Sequence, residues 1–215
     1  FAYNSATSAL HAACFSLGLG KGDYVWTSAN TFAASANCAL YCDAKVDFVD
    51  IDPDTYNLCI NSLKKKLVQA KKVGKLPKVV IPVHLAGQSC NMKDIYSLSK
   101  KYKFKIIEDA SHAIGGKYLS EKIGGCKYSD ITVFSFHPVK IITTGEGGIA
   151  TTNDKKIAEK LDMFRTHGIT KNEKKLINIS HGPWFYEQQY LGFNYRMTDI
   201  HAAIGLSQMK RLDKL

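Results

Sequence analysis

Short apolar runs alternate with helix-forming segments along most of the 215-residue chain. The run KVVIPV (78–83) shows no polar alternation, which is typical of a strand that helices cover on both faces. Strands are predicted at 24–27, 46–50, 78–83, 104–109 and 130–136, and helices at 5–17, 31–41, 60–72, 91–102 and 154–165. Strands that alternate with helices form a mainly parallel sheet flanked by helices, so we predict an α/β fold.

Four further segments complete the predicted organisation. GGKYLSEKIGG (115–125) predicts a hairpin, and the polar stretch 168–182 predicts a loop that is long enough to suspect a function. The opening FAYNSATSAL predicts a strand that leads into a helix, and the closing IHAAIGLSQMKRLDKL predicts an amphipathic helix that continues to the last residue. We therefore expect residues 1–215 to form one large domain of a longer protein.

The charge balance favours anionic partners, because 29 basic and 19 acidic side chains give a net charge of +10. The lysines occur in short groups such as 64–66 on a predicted helix, which is typical of a solvated helix face. The sequence has no motif of a nucleic-acid-binding fold and no run of about 18 apolar residues. We expect neither a nucleic acid nor a membrane as a partner.

The six cysteines do not indicate a metal site, because they form no Cys-x-x-Cys pair and no His cluster has zinc-ligand spacing. Most of them lie in apolar runs, where Cys behaves as a small core residue. We expect no bound metal, and a reducing, cytoplasmic compartment.

Residues able to carry chemistry are concentrated where the predicted strands end. Asp109 ends the run FKIIED, Lys140 follows the run DITVFSF, and the hydroxyl residues Thr7 and Ser8 follow the opening strand. In a parallel α/β sheet, ligands bind at the carboxyl ends of the strands. We therefore expect these side chains to share one site.

This combination matches what pyridoxal phosphate (PLP) requires of a protein. PLP needs a lysine amine to bond to its aldehyde and a carboxylate beside its pyridine nitrogen. Its phosphate needs hydroxyls and free N–H groups at a helix N-terminus, and its flat ring needs an apolar or aromatic surface. Lys140 lies in FSFHPVKIITTGEGG with no charged neighbour for several residues on either side, which is unusual for a surface lysine.

Each of these residues also has a purely structural explanation. Lys140 could be a surface lysine whose stem packs on apolar groups, and Asp109 could be a helix N-cap. Thr7 and Ser8 could start a helix without binding a ligand, and Phe32 lies in a predicted apolar helix, where core packing is the default. The sequence pattern alone leaves both explanations open.

Six segments resemble the DegT-type sugar aminotransferases, a branch of the fold-type I PLP enzymes. They are NSATSALHAA, TSANTFAASANCAL, IEDASHAIGG, FSFHPVKIITTGEGG, FRTHGIT and LGFNYRMTDIHAAIGLSQMKRL. The resemblance is collinear from end to end of the chain. It implies that residues 1–215 are the large PLP-binding domain of such an enzyme, without an N-terminal lead and a small C-terminal domain.

The resemblance also assigns catalytic roles. Lys140 would bind PLP covalently and then act as the base that moves a proton between the substrate carbon and the cofactor. Asp109 would pair with the pyridine nitrogen, and His112 would lie near the phenolic oxygen of the ring. His137 and Glu146 belong to the same signature, and we expect them to support the loop that carries Lys140.

The remaining implied contacts surround the cofactor. Three hydroxyl residues would contact the phosphate, namely Thr7, Ser8 and Ser135. Phe32 would stack on the ring, and Asn194 would reach the phosphate of the neighbouring subunit's cofactor. That last role implies a homodimer with shared active sites.

A narrower resemblance concerns the substrate. HLAGQSCNM, DASHAIGGKY, FSFHPVKIITTGEGG and GPWFYEQQYLGFNYRMTD resemble the transaminases of pseudaminic acid biosynthesis. The implied reaction moves an amino group from L-glutamate to C4 of a UDP-linked 4-keto-6-deoxy-N-acetylhexosamine. Three alternatives remain: an aminotransferase for another nucleotide 4-keto or 3-keto sugar, a family member that binds PLP without transamination, and a non-catalytic basic α/β nucleotide-binding module. Dehydratases of the family carry histidine in place of the lysine, so Lys140 argues against that chemistry.

Overall fold

The computed structural model describes residues 1–214 and contains a seven-stranded sheet between two layers of helices. The strands are β1 (Ala2–Tyr3), β2 (Tyr24–Ser28), β3 (Lys45–Val49), β4 (Val79–Ile81), β5 (Lys105–Asp109), β6 (Lys117–Tyr118), β7 (Glu121–Lys122), β8 (Ile131–Ser135), β9 (Gly148–Thr151), β10 (Ile169–Thr170) and β11 (Glu187–Gln188). The α-helices are α1 (Ala6–Ser16), α2 (Ala34–Leu40), α3 (Ile60–Lys72), α4 (Met92–Tyr102), α5 (Lys155–Phe164) and α6 (Asp199–Met209). The predicted α/β fold is confirmed.

The main sheet has the strand order β1-β9-β8-β5-β4-β2-β3. The five strands from β8 to β3 are parallel, whereas β9 is antiparallel to both of its neighbours. In the centre of the sheet, Asp109 of β5 lies opposite Val133 of β8. The carboxyl ends of β5 and β8 therefore meet at the same edge, as the sequence predicted.

Two apolar clusters pack on the two faces of the sheet. One contains side chains of α1, α2 and α5, and the other contains side chains of α3 and α4 around Trp26. Alternation along β5 assigns Ile107 to the first face and Ile106 to the second. By the same alternation, Asp109 faces the first layer of helices and Glu108 faces the second.

Local sequence signals explain where the helices lie. Asp154 caps α5 by accepting hydrogen bonds from two N–H groups of its first turn. In α3, the buried residues Leu63, Leu67 and Ala70 follow helical spacing, and the lysines at 64 and 65 are exposed. Lys64 and Lys65 therefore lie on a solvated helix face as predicted, whereas Lys66 is half-buried and forms an ion pair with Asp47.

Several boundaries differ from the predictions. The strand predicted at 78–83 ends at Ile81, because Pro82 has no N–H to donate. The helix predicted at 31–41 begins only at Ala34, so Phe32 precedes it. The closing helix ends at Met209, and it is not amphipathic, because its apolar residues are spread around the helix axis and do not form one face.

Two smaller pairs of strands lie outside the main sheet. The predicted hairpin is confirmed as the antiparallel pair of β6 and β7. The segment predicted as a loop at 168–182 contains β10, which pairs with β11, and the 3-10 turn Glu173–Lys175. The rest of that segment is irregular, as predicted.

Three observations bear on the compartment and metal predictions. No helix among residues 1–214 is long and apolar enough to cross a membrane. In the same part of the chain, no group of three His, Cys, Asp or Glu side chains could hold a metal ion. The six cysteines are unpaired.

Candidate active site

A cavity of about 450 Å³ opens at the carboxyl edge of the sheet. Its walls come from the segments after β1, β4, β5 and β8 and from the start of α2. The predicted site residues in its lining are Thr7, Phe32, Asp109, His112, Ser135 and Lys140. These residues are far apart in the sequence, so the fold brings them together as the strand-end rule predicts.

Asp109 is a buried carboxylate with its hydrogen bonds satisfied by neighbouring hydroxyls. It is 4% exposed. One carboxylate oxygen accepts from Ser35 Oγ at 2.6 Å, and the other accepts from the Oγ and N–H of Ser111, at 2.6 and 3.1 Å. No helix begins after Asp109, because β6 is the next element, so the helix N-cap explanation is wrong. These bonds orient the carboxylate at the cavity wall.

Lys140 lies in the turn that follows β8, where its N–H donates to His137 O at 2.9 Å. It is half-buried, whereas its neighbour Val139 is 77% exposed. Its side chain contributes to the cavity lining together with Asp109 and His112. The positions of Lys140 and Asp109 in one cavity therefore favour a role in binding over a simple surface lysine.

His112 lines the same cavity as these two charged groups. Burial lowers the pKa of the His112 imidazole, the positive charge of Lys140 lowers it further, and the negative charge of Asp109 partly opposes both. Its Nδ1 accepts a hydrogen bond from the Ala86 N–H at 3.2 Å. The imidazole is therefore neutral near pH 7 with its proton on Nε2.

The N-terminus of α1 forms the anion-binding side of the cavity. Ser5 caps the helix by accepting from Ser8 N–H at 3.1 Å, and Thr7 lines the cavity in the first turn. No acidic residue lies in that turn, so its N–H groups and positive dipole end favour an anion. The Ser135 hydroxyl lines the same cavity.

Gly148 of β9 is essential to this arrangement. A Cβ atom at Gly148 would lie 2.5 Å from Ala6 N and 2.6 Å from Ser5 C. Only glycine allows β9 to approach the start of α1 this closely. The sequence contains the glycine, but the contact joins segments more than 140 residues apart, so its role was not predicted.

Phe32 is 76% exposed and lines the cavity. The default explanation of core packing is therefore wrong for this residue. It precedes α2, where the irregular backbone presents the ring at the cavity instead of burying it against the sheet. An exposed aromatic face suits stacking against a flat ring.

Two predicted phosphate contacts, Ser8 and Asn194, lie outside the lining of this cavity. Ser8 is buried, and its Oγ donates to Asn4 Oδ1 at 2.6 Å. Asn194 is exposed, and its carbonyl oxygen accepts from Asn4 Nδ2 at 3.4 Å. Both therefore lie beside the α1 N-terminus without entering the cavity.

The other signature residues, His137 and Glu146, also line the cavity and lie next to each other. His137 Nε2 lies 3.8 Å from Glu146 Oε1, and both side chains are about half exposed. This pair joins the two ends of the segment that carries Lys140, in line with the predicted support of that segment. Ser35 and Ser111, which hold Asp109, were not predicted as site residues. The sequence signal that could have identified Ser35 is that it is a polar residue within an apolar run.

The cavity combines four features that fit PLP. They are a buried carboxylate at a strand end, a half-buried lysine, an exposed aromatic ring, and a helix N-terminus that a glycine allows β9 to approach. They are typical of α/β proteins that bind this cofactor. The model of the DegT/DnrJ/EryC1/StrS aminotransferase family matches residues 1–215, and the chain belongs to this family. Members of the family are PLP-dependent sugar aminotransferases.

Curated relatives match almost the whole chain. The UDP-4-amino-4,6-dideoxy-N-acetyl-beta-L-altrosamine transaminase of Campylobacter jejuni is 43% identical over 211 residues, which cover 98% of this chain and 52% of the relative. The GDP-perosamine synthase of Caulobacter vibrioides is 41% identical over 213 residues, which cover 99% of this chain and 52% of the relative. The chain thus spans about half the length of the curated relatives it matches.

A solved structure shows the same fold. Helicobacter pylori PseC, an aminotransferase involved in the biosynthesis of pseudoaminic acid, aligns with a TM-score of 0.86 at 33% identity. The alignment covers 100% of this chain and 54% of PseC. The predicted fold class, that of the fold-type I aminotransferases, is confirmed.

Proposed function

We propose that this chain is the cofactor domain of an aminotransferase that moves an amino group from L-glutamate to C4 of a UDP-linked 4-keto-6-deoxy-N-acetylhexosamine, for pseudaminic acid biosynthesis. The observation that carries the proposal is the placement of Lys140 and Asp109 in one cavity, at the carboxyl ends of two adjacent parallel strands. The family and the named relatives support the class of reaction.

The catalytic side chains then have distinct tasks. When bound, PLP accepts electrons from the substrate carbon as that carbon loses a proton. Asp109, oriented by Ser35 and Ser111, would face the pyridine nitrogen and would favour its protonated form. Lys140 would hold the cofactor through its side-chain amine and would serve as the base that moves a proton between the substrate carbon and the cofactor. His112 would offer its Nε2–H to the phenolic oxygen of the ring.

The other residues hold the cofactor in place. Thr7, Ser135 and the N–H groups of α1 bind the phosphate, and Phe32 covers one face of the ring. Ser8 supports this phosphate site through its bond to Asn4. Asn194 lies outside its own cavity and is exposed, which is compatible with a contact to the partner's cofactor phosphate in a homodimer.

The amino transfer is tested with glutamate alone. Purified protein should be yellow, and its visible absorbance should fall when glutamate converts PLP to the amine form. Lys140→Ala should fold but remain without this response, whereas Lys65→Ala, on the solvated face of α3, should behave as wild type. Full activity of Lys140→Ala would refute the mechanism. A colourless wild-type protein that binds only nucleotides would instead support the non-catalytic module.

The sugar is the less constrained part of the proposal. The 43% identical relative is named for a UDP-linked amino sugar, while the 41% identical one is named for GDP-perosamine. A GDP-linked 4-keto sugar is therefore the second candidate substrate. The amine form of the enzyme should be mixed with UDP-, GDP- and dTDP-linked 4-keto sugars in parallel, and recovery of the PLP absorbance measured. A preference for a GDP or dTDP sugar would refute the UDP assignment.

A further inference from the structure

A buried polar cluster lies on the sheet face opposite Asp109. His84 is 0% exposed and Glu108 is 5% exposed, and neither lines the cavity. His84 Nε2 lies 2.8 Å from Glu108 Oε2. The other carboxylate oxygen accepts from the hydroxyls of Ser129 and Thr132. The proposed mechanism does not use this cluster. A carboxylate in the protein interior is costly unless it is hydrogen-bonded, so Glu108 depends on all three partners.

His84 keeps a proton on Nε2 near pH 7 because, although burial lowers its pKa, the contacts with Cys90 and Glu108 raise that pKa to about 9. Its Nδ1 accepts from Cys90 N–H at 3.2 Å, so Nε2–H donates to the Glu108 carboxylate. Burial alone would raise the pKa of Glu108, but the hydrogen bond and positive charge of His84, together with the hydrogen bonds from Ser129 and Thr132, outweigh burial and hold the pKa below its usual value. The carboxylate is therefore a permanent acceptor for His84.

His84 begins a tight turn that reaches back to the cavity. Its own N–H donates to Asp109 O at 3.0 Å. Ala86 has a φ of +53°, a left-handed conformation that alanine disfavours, and its N–H donates to His112 Nδ1 at 3.2 Å. At Gly87, an added Cβ atom would lie 2.8 Å from His112 O. The turn at residues 84–87 is thus packed directly against the His112 segment.

We propose that Glu108 and His84 are positioning residues for His112: they hold the left-handed turn that presents the Ala86 N–H to Nδ1 of His112, and so keep the His112 proton on Nε2, available to the cavity. A left-handed alanine persists only where its surroundings hold it. The hydrogen bond at one imidazole nitrogen decides which nitrogen carries the proton. The consequence of this positioning for catalysis rests on the proposed function. The position of the proton on the His112 imidazole does not depend on that function.

Nitrogen-15 NMR of the imidazoles, recorded in the full chain with and without PLP, tests this directly. In Glu108→Leu, His84 loses its acceptor and the turn loosens. The pKa of His112 should then rise towards 6.5, and a share of its protons should move to Nδ1. Glu108→Gln offers an amide oxygen to His84 Nε2–H and should restore the wild-type titration.

Thr132→Val is the matched control, because it also removes a hydrogen bond to Glu108 but leaves the bond to His84 intact. It should leave the His112 titration unchanged. If Glu108→Leu does not fold, Glu108→Asp makes the same test by withdrawing the carboxylate from His84. The proposal is overturned if His112 titrates as in wild type in Glu108→Leu or, where that variant does not fold, in Glu108→Asp, or if Thr132→Val shifts the titration equally. The NMR result stands whether or not Lys140 binds PLP, so the two proposals fail separately.

Discussion

Strand β5 carries two consecutive buried carboxylates, one on each face of the sheet. Glu108 is enclosed by protein donors on the α3 and α4 side, while Asp109 faces the α1 and α2 side and the cavity. Their exposures are nearly equal, at 5% and 4%. Burial therefore does not distinguish these two carboxylates; they differ in that the cavity meets Asp109 and does not meet Glu108.

The largest expected effect concerns activity on the cavity face. Asp109→Ala should lower kcat/KM for amino transfer by about 10²–10³-fold, because it removes the charge proposed to keep the pyridine nitrogen protonated. Steady-state rates with glutamate and a UDP-4-keto sugar measure this. Thr132→Val, on the other face, should keep wild-type rates. If kcat/KM of Asp109→Ala stayed within threefold of the wild-type value, the proposed role of Asp109 in catalysis would be contradicted.

The opposite face should dominate stability. Glu108→Ala leaves the donors of His84, Ser129 and Thr132 without an acceptor in the interior, which should cost on the order of 3 kcal/mol of unfolding free energy. Urea denaturation followed by circular dichroism measures it. Asp109→Ala should cost less, because water in the cavity can reach the freed hydroxyls. The comparison would be reversed if Asp109→Ala were the more destabilising variant.

His11 of α1 should make the free energy of unfolding depend on pH. His11 is buried among aromatic rings, and burial lowers the pKa of its imidazole to about 4. Between pH 6.5 and pH 4 the unfolded chain binds a proton there that the folded chain does not. Stability should therefore fall by on the order of 2–3 kcal/mol as the pH decreases through this window.

The variant His11→Phe should flatten this dependence, whereas His181→Phe, at an exposed position, should not. Thermal unfolding at intervals from pH 7 to pH 4 gives the comparison. Unchanged slopes in His11→Phe would show that another group causes the acid sensitivity.

The smallest expected effect concerns the phosphate side of the cavity. Gly148→Ala places a methyl group against the backbone of Ser5 and Ala6, and the displaced helix N-terminus should weaken PLP binding by about tenfold. Absorbance titration with PLP measures the Kd. Gly20→Ala is the control, because an added Cβ atom there meets nothing within 4 Å. If the two variants bound PLP with equal Kd, the α1 N-terminus would have no role in cofactor binding.

The sequence predicted the parts of this molecule that depend on local pattern. The alternation of strands and helices predicted the fold class. The positions of Asp109 and Lys140 at the ends of strands predicted that both lie at the same edge of the sheet. It did not predict the reversed direction of β9, because apolar periodicity carries no information on strand direction. The exposure of Phe32 was missed because the backbone before α2 is irregular within an apolar run.

Long-range pairing explains the other omissions. Ser35 reaches Asp109 across 74 positions in the chain, and Ala86 reaches His112 across 26. Neither contact has a sequence signature, since each depends on how the segments pack. Residues that position other residues are therefore found only in the structure, even where the residues they position can be found in the sequence.

The central claim is that Lys140 is the covalent anchor of PLP. Borohydride reduction of the PLP-loaded protein followed by peptide mass spectrometry tests it most directly, because reduction makes the bond permanent at the lysine that carries it. We predict one modified peptide, containing Lys140, and its loss on prior incubation with glutamate. Modification at another lysine, or none, would contradict the account.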